Sequence, residues 1–283
     1  MSDRLTVLMQ HILPKRRLTA LAGRLAGAQA GVMTTHVIGW FVRKYGVDMS
    51  EADEPDLASY RSFNDFFTRA LKSGLRPMAT ADFISPVDGA ISQLGDIDDQ
   101  HMIQAKGHRF TTTQLLGGDS ELAERYRHGR FANLYLSPKD YHRLHMPCDG
   151  TLERMIHVPG DLFSVNPATA RALPNLFARN ERVVCSFLSP EHGPFIMVLV
   201  GATIVGSIAT VWHGVVNPRR TSKVSEWKYA DRPITLNRGE EMGRFLLGST
   251  VVLLFHKDEI EFDPTWAPER RVRLGERMGD HPG

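Results

Sequence analysis

The first 76 residues carry a helical pattern of hydrophobic and polar positions. Apolar residues repeat there at spacings of three and four, so they share one helix face: Leu18, Leu21, Ala22 and Leu25. A second apolar group, residues 37–41, is followed by Arg43 and Lys44, and cations suit the negative end of a helix. Ser62 is placed to cap a third helix, which Gly74 would end. The pattern therefore predicts three helices.

From residue 77 onward, the pattern changes to short apolar and β-branched runs separated by Gly, Pro, Asp and Asn. The runs with strand character are residues 83–95, 131–136, 151–158, 182–188, 194–212 and 250–256. Such a series predicts mostly antiparallel sheets in a sandwich or barrel-like arrangement. We therefore expect an α+β protein, with an N-terminal helical region (1–76) packed on a β-rich domain (77–283). Its last stretch, residues 266–283, is polar and is expected to be loose.

One segment is long enough to cross a membrane as a helix. From His192 to Pro218, 27 consecutive residues lack Asp, Glu, Lys and Arg. However, Ile, Val and Thr are frequent there, and Gly201 and Gly206 divide the segment into pieces of strand length. We therefore expect two or three buried strands instead of a transmembrane helix.

Composition and charge narrow the classes of function. A formal net charge of +2 over 283 residues does not suggest a nucleic-acid-binding protein. Two cysteines without a CxxC pairing suit a reducing cytoplasm, and Arg24 interrupts the most apolar N-terminal stretch, so no signal peptide is expected. Residues 1–46 hold seven basic side chains and one acidic one. These basic amphipathic helices suit either an anionic membrane surface or the protein's own core.

The candidate chemistry is concentrated in residues 140–150, after the expected strand at 131–136. P-loop, HExxH, GxSxG and strand-following GxGxxG motifs do not occur in the sequence. His142 and His145 could ligate a metal together with Cys148, but no second ligand group has metal-site spacing. Either histidine could instead bond a turn carbonyl.

Two further segments could complete a site with these histidines. Residues 85–89 place Asp88 in an Asp-Gly turn, and residues 248–250 (Gly-Ser-Thr) run into a strongly apolar strand. Taken alone, each segment would form an ordinary turn or bulge without a catalytic role. Together, Asp88, a histidine and Ser249 could form a general-base arrangement, in which the carboxylate orients the imidazole and the imidazole takes the serine proton.

Seven short motifs occur in order along the chain. They are Phe-Phe-Thr-Arg (66–69), Ser-Pro-Val-Asp-Gly (85–89), Lys-Gly (106–107), Tyr-Leu-Ser-Pro (135–138), Asp-Tyr-His-Arg-Leu-His (140–145), Pro-Gly-Asp-Leu-Phe-Ser-Val-Asn (159–166) and Leu-Gly-Ser-Thr (247–250). Together they closely resemble phosphatidylserine decarboxylases of the bacterial proenzyme type, whose processing site is the last motif. The resemblance covers roughly residues 60–256.

This resemblance implies a zymogen that cuts itself between Gly248 and Ser249. The Ser249 hydroxyl would attack the Gly248 carbonyl, with His145 as the base and Asp88 fixing its tautomer. Ser249 would become a pyruvoyl group, the covalent cofactor, at the start of a 35-residue α chain (249–283) beside a β chain (1–248). The resemblance implies neither a metal nor pyridoxal phosphate.

The same resemblance implies a carboxy-lyase of phospholipid biosynthesis. The pyruvoyl group would form a Schiff base with the amine of phosphatidylserine, and loss of carbon dioxide would give phosphatidylethanolamine. His142 is the candidate proton donor in this stage. The expected partners are phosphatidylserine, an anionic membrane surface and the two chains of one proenzyme, with a homodimer left open and no nucleic acid. The expected location is the cytoplasmic face of the cell membrane, with peripheral attachment.

Two other classes of function compete with this interpretation. The order Asp88, His145, Ser249 also suits a serine hydrolase at a membrane surface. The basic helices alone would suit a lipid-binding module without catalysis. A cut chain with a blocked α-chain N-terminus would exclude the hydrolase, and covalent capture of an amine would exclude the binding module.

Overall fold

A computed structural model describes residues 15–202, 207–217, 221–246 and 249–283, without the side chains of residues 15–20 and 249. Single 3₁₀ turns occur at Met49–Glu51 and Leu57–Ser59. The α-helices of the described residues are α1 (Lys15–Gly27), α2 (Val32–Tyr45), α3 (Phe63–Phe67), α4 (Thr112–Leu115), α5 (Ser120–Glu124), α6 (Pro167–Ala172) and α7 (Leu176–Arg179).

The rest of the described chain is dominated by short strands, and the named strands all pair antiparallel. They are β1 (Phe83–Ile84), β2 (Gly89–Asp96), β3 (His101–Ala105), β4 (His108–Thr111), β5 (Arg130–Leu136), β6 (Arg143–His145), β7 (Gly150–Val158), β8 (Arg182–Ser189), β9 (Gly193–Val200), β10 (Ile208–Thr210), β11 (Gly214–Val215), β12 (Ser225–Lys228), β13 (Ile234–Leu236), β14 (Glu241–Phe245), β15 (Ser249–Phe255), β16 (Glu261–Phe262), β17 (Arg271–Val272) and β18 (Arg277–Asp280).

Strand β15 lies inside a nine-stranded sheet that forms the framework of the molecule. The sheet has the order β12-β7-β8-β9-β15-β5-β2-β17, and β13 also pairs with β7. Smaller sheets have the orders β11-β10-β14-β6, β1-β18-β16 and β3-β4. The large sheet does not close on itself in the described residues. The expected α+β fold is confirmed, as a set of open sheets and not a closed barrel.

Both faces of the large sheet are covered by apolar side chains. Because successive strand residues point to opposite faces, Val251 and Leu253 enter one core while Val252 and Leu254 enter another. The neighbouring strand β9 alternates in the same way. This double burial explains why residues 251–255 are continuously apolar and do not alternate with polar residues.

The uncharged segment from His192 to Pro218 forms strands where it is described. Strand β9 is buried over most of its length, and β10 and β11 follow it. Residues 203–206 and 218 lie outside the described residues. Among the described helices, none combines the length and apolarity that a membrane crossing requires. The prediction of strands is confirmed.

The N-terminal helices build a third apolar core around α3. Ile38 and Phe41 of α2 pack there with Phe66 and Phe67. The Ser62 hydroxyl accepts a hydrogen bond from the Asp65 N–H at 3.1 Å, as its position predicts. However, the third helix ends at Phe67 instead of near Gly74. The chain beyond it leaves the helical path to pair Leu71 with Ala52.

The C-terminal stretch is ordered, so the prediction of a loose tail at residues 266–283 was wrong. Strand β17 pairs with β2, and β18 lies between β1 and β16. Trp266, Val272, Leu274 and Met278 are buried. A polar sequence concealed this packing because many of its charges form ion pairs, as Arg271 does with Asp140.

Candidate active site

Three parts of the chain meet at the carboxyl end of β5. Strands β2 and β15 flank this strand, with Ala90 opposite Tyr135 and Ser249 opposite Leu136. The turn that carries Asp88 and the backbone of Ser249 therefore lie on either side of one strand end. Gly89 permits the close approach of β2, because a Cβ atom there would lie 2.5 Å from the Tyr135 carbonyl oxygen.

The segment with both histidines lies beside this strand end. The His145 N–H donates to the Pro86 carbonyl at 3.0 Å, which fixes β6 against the Asp88 turn. The Phe245 N–H donates to the His142 carbonyl at 3.0 Å, so β14 passes His142 just before the chain reaches Ser249. Leu247 and Gly248 lie outside the described residues, as does the Ser249 side chain. The fold thus brings the 85–89, 140–145 and 249–250 segments together.

His145 has the hydrogen bonds of a neutral imidazole. Its Nδ1 lies 2.8 Å from the Gly239 carbonyl, and since a carbonyl can only accept, Nδ1 carries the proton. Its Nε2 then accepts from the Tyr141 hydroxyl at 3.1 Å. Burial lowers the pKa of His145 and raises that of Tyr141 to about 12, so the phenol keeps its proton at neutral pH. Nδ1 thus donates its hydrogen bond to the Gly239 carbonyl, and not to Asp88 as expected.

His142 is fully buried, with its ring against Phe67 at a centroid distance of 4.1 Å. Its Nδ1 donates to the Asp140 carbonyl at 2.7 Å, so Nε2 is the unprotonated nitrogen. Nε2 has no hydrogen-bond partner among the described residues. Burial lowers the pKa of His142 to about 3. A buried, unpartnered acceptor of this kind is unfavourable in a purely structural role.

Asp88 is held by partners other than the histidines. Its oxygens accept from Arg76, with the closest contact at 2.6 Å, and from the Leu274 N–H at 2.8 Å. In the described part of the chain, no hydrogen bond joins Asp88 to His145. The two residues are linked through the backbone, since the His145 N–H binds the Pro86 carbonyl two positions before Asp88. Burial lowers the pKa of His145, and the Gly239 contact, Glu241 and, least, Asp88 oppose it.

A cavity of about 390 Å³ opens beside Asp88 and Tyr141. Arg69, from the Phe-Phe-Thr-Arg motif, lines this cavity and is almost fully buried. Its Nη2 donates to the Lys139 carbonyl at 3.2 Å, while Nε and Nη1 have no partner in the residues that the structure describes. The cavity therefore places both charges and hydrogen-bonding groups next to the Asp88 turn.

The described residues offer no support for a metal site at Cys148. Its thiol is buried, which raises its pKa to about 12, so it stays protonated. No group of three His, Cys, Asp or Glu side chains suited to a metal ion occurs within the described ranges.

Several contacts of this site were not identified from the sequence. The Tyr141 hydroxyl and the Arg69 guanidinium lie within quoted motifs, so the motifs themselves were the available signal. Arg76 lies between motifs, and the Gly239 contact uses a backbone carbonyl that no side-chain pattern can indicate. Both depend on tertiary pairing of segments far apart in the chain.

Fold and site together define a β-rich protein with a buried histidine site at the end of its central strands. A family model described as phosphatidylserine decarboxylase matches residues 63–280, and one described as PSD matches residues 5–46. A phosphatidylserine decarboxylase proenzyme of Azoarcus sp. (strain BH72) is 67% identical over 280 residues, which cover 99% of this chain and 97% of that protein. Proenzymes of the same name from Variovorax paradoxus (strain S110) and Dechloromonas aromatica (strain RCB) are 65% and 63% identical, each with 99% of both chains covered. The chain belongs to the phosphatidylserine decarboxylase family.

Proposed function

We propose that this chain is a proenzyme that cuts itself between Gly248 and Ser249 and then converts phosphatidylserine to phosphatidylethanolamine and carbon dioxide. The observation that carries the proposal is the convergence of the 85–89, 140–145 and 249–250 segments at one strand end, in a member of this family. The products of cleavage would be the β chain, 1–248, and the α chain, 249–283.

Self-cleavage begins with an acyl shift. The Ser249 hydroxyl attacks the Gly248 carbonyl carbon as its proton passes to Nε2 of His145. The bond from that carbon to the Ser249 nitrogen then breaks, the nitrogen takes the proton from Nε2, and the peptide bond has become an ester. The contact between Gly239 and Nδ1 supports this role, because it leaves Nε2 as the basic nitrogen. To accept the serine proton, Nε2 must exchange its Tyr141 contact for the serine hydroxyl. Asp88 then stabilises the charged imidazole through its negative charge, without a direct hydrogen bond.

Elimination completes the cleavage. Loss of the Ser249 α-proton expels the Gly248 carboxylate, which becomes the end of the β chain. Water then replaces the nitrogen of the resulting dehydroalanine, ammonia leaves, and the α chain begins with a pyruvoyl group. This step adds one water and releases one ammonia, so no oxidant is required.

The residues of this strand end suit a pyruvoyl group. A carbonyl-bearing group at position 249 would adjoin a site with a buried acceptor, Nε2 of His142, that lacks a partner among the described residues. When present, the group takes up the electrons released as carbon dioxide leaves. His142 then delivers a proton from Nε2 to the carbon that has lost the carboxylate. Burial keeps this ring neutral at neutral pH, so Nε2 must first take up a proton, which the negative charge of a bound substrate favours.

The N-terminal helices would attach the enzyme to an anionic membrane. Large apolar side chains of α1 and α2 remain exposed: Leu25 (65%), Val32 (74%), Met33 (70%) and Trp40 (52%). Lys44 lies 4.5 Å from the Trp40 ring centre and adds positive charge at this surface. The opposite face of α2 packs in the core through Ile38 and Phe41. The helix therefore contacts the protein's own core on one face and presents the other face to a membrane. Arg4 lies outside the described residues, and the side chains of Lys15, Arg16 and Arg17 are not described.

Purified protein supplied with phosphatidylserine vesicles tests the proposed reaction. We expect release of carbon dioxide and formation of phosphatidylethanolamine, and borohydride added during turnover should couple the substrate amine to the α chain. Ser249→Ala should remain one chain and show neither result. Hydrolysis of the lipid without decarboxylation would favour the serine hydrolase, and vesicle binding without chemistry would favour the lipid-binding module.

A further inference from the structure

The carboxylate of Asp88 is fixed by an unusually complete set of donors. Arg76 Nε lies 3.0 Å from Oδ1 and 3.2 Å from Oδ2, and Arg76 Nη2 lies 2.6 Å from Oδ2. The Leu274 N–H adds a contact of 2.8 Å to Oδ1. Both oxygens are therefore engaged, and the planar fork of the guanidinium fixes the orientation of the carboxylate.

Arg76 is itself fixed from a second direction. Its Nη2 donates to Glu51 Oε2 at 2.6 Å, so one guanidinium bridges two carboxylates. The Arg76 and Asp88 side chains are only 6% and 9% exposed, which removes most of the screening that weakens surface ion pairs. Burial opposes the charge of Arg76, but the bonds to Asp88 and Glu51 outweigh it and raise its pKa.

This arrangement lies where the proposed self-cleavage needs a fixed negative charge. Asp88 immediately precedes β2, whose partner β5 also pairs with Ser249. Asp88 makes no hydrogen bond to His145 in the described residues, so its effect on the imidazole depends on where the carboxylate is held. Arg76 and the Leu274 N–H determine that position, and Arg76 is the only side chain among these donors.

We infer that Arg76 is a positioning residue for self-cleavage, which acts by holding the Asp88 carboxylate in the 85–89 turn, to which the His145 backbone is bonded. This inference rests on the proposed function. A structural salt bridge alone would affect folding, whereas a positioning residue affects the rate of cleavage in a folded chain. The experiment must therefore separate those two effects.

Cell-free synthesis of the full chain, followed by the appearance of the 35-residue α fragment, measures the cleavage rate. We expect Arg76→Ala to slow cleavage about 100-fold, a loss typical of a misplaced reacting group. Arg76→Lys should be slowed about 10-fold, because an ammonium keeps the charge but loses the planar fork. Arg154→Ala is the matched control. Arg154 lies on β7, away from the site, and it also bridges two carboxylates, those of Asp119 and Glu226.

Chemical rescue distinguishes positioning from folding. Arg76 lines the cavity of about 390 Å³, so a small cation can reach the space that Arg76→Ala leaves. Millimolar guanidinium added to purified, uncut Arg76→Ala protein should accelerate cleavage at least 10-fold. It should not accelerate cleavage of Asp88→Asn, which lacks the carboxylate to be held. Thermal unfolding of both variants reports whether they are folded.

The inference is overturned if folded Arg76→Ala cleaves at the wild-type rate, or if guanidinium does not accelerate its cleavage. If Arg76→Ala does not fold, Arg76→Lys decides the question: a wild-type rate overturns the inference, and a slowed rate in a folded protein supports it. If the wild-type chain itself does not cleave, the proposed function fails instead. The two failures are therefore distinguishable.

Discussion

At the scale of single residues, His142 and His145 differ mainly in what their Nε2 atoms contact. Nε2 of His145 accepts from Tyr141, whereas Nε2 of His142 has no partner among the described residues. Because burial lowers the pKa of His142 to about 3, its ring is a weak base, and we therefore propose His145 as the base of self-cleavage and His142 as the proton carrier of decarboxylation. The two functions can be separated because cleavage precedes turnover.

The first prediction concerns this division. His145→Ala should leave the chain uncut, because Ser249 then lacks a base. His142→Ala should cleave more completely but decarboxylate slowly, by about 100-fold or more for loss of a positioned proton donor. Gel electrophoresis measures cleavage, and carbon dioxide release per cut chain measures turnover. Equal cleavage defects in the two variants would contradict the division.

The second prediction concerns stability against pH. The pKa of His142 is about 3 in the folded protein and 6.5 in a model peptide, so between these values the unfolded chain binds more protons. Stability must therefore fall as pH drops through this window, by about 1.4 kcal/mol per pH unit for one proton. From pH 7 to pH 5 the contribution of His142 is a loss of about 2 kcal/mol.

Urea unfolding of uncut Ser249→Ala protein tests this value. Between pH 7 and pH 5, the free energy of unfolding should fall by about 2 kcal/mol less when His142→Asn is added to Ser249→Ala than in Ser249→Ala alone. The same substitution at His36, which is exposed on α2, serves as the control. Equal acid sensitivity with and without His142 would contradict the burial argument.

Residue-level prediction from sequence succeeded where motifs are local and failed where contacts are distant. Asp88, His142 and His145 were identified from short motifs, and the fold brings their segments together. The partner of the His145 Nδ1 is a carbonyl 94 positions away, and Asp88 is bound by Leu274, 186 positions away. Such contacts depend on how sheets and turns assemble, which spacing along the chain does not encode.

At the scale of elements, α2 has two apolar faces with different uses. One face packs on α3 through Phe41, whose ring centre lies 6.0 Å from that of Phe67. The other face exposes Met33 and Trp40. Periodicity predicted the helix, but an apolar residue on a helix does not show whether protein or lipid covers it.

The third prediction concerns this exposed face and its basic residues. Met33→Ser with Trp40→Ser should weaken binding to anionic vesicles while self-cleavage persists. Neutralising Lys15, Arg16, Arg17 and Arg24 should also weaken binding, by about 1 kcal/mol per charge near the surface, and less so at high salt. Vesicle co-sedimentation at low and high salt measures both effects. Unchanged binding would mean that another surface meets the membrane.

At the scale of the whole molecule, the proposed cleavage leaves the two chains interlocked. Strand β15, the first element of the α chain, lies between β9 and β5 and pairs along its length with both. Further along the α chain, β17 pairs with β2, and the Leu274 N–H binds Asp88. The core side chains of β15 enter two apolar clusters at once.

The fourth prediction is that the α and β chains stay together after cleavage. Size exclusion in native buffer should give one particle, whereas denaturing electrophoresis should separate two chains. Separation should require denaturant, because withdrawal of β15 would expose both cores. Release of the 35-residue chain in native buffer would contradict this assembly.

The architecture was largely predictable, and its exceptions have physical causes. Strongly apolar runs at 131–136 and 250–256 indicated strands, and both form. Strands β16 to β18 were missed because they are short and carry polar residues, and charges such as those of Arg271 and Arg277 are paired only in three dimensions. The order of strands in the large sheet likewise depends on pairing that no local pattern specifies.

The intact mass of the purified wild-type protein tests the central claim most directly. We predict two masses, one for residues 1–248 and one for residues 249–283 that is lighter by one ammonia than a chain beginning with serine. Ser249→Ala should give the single mass of the full chain. A wild-type protein that stays uncut, or an α chain that keeps its N-terminal serine, would contradict the account.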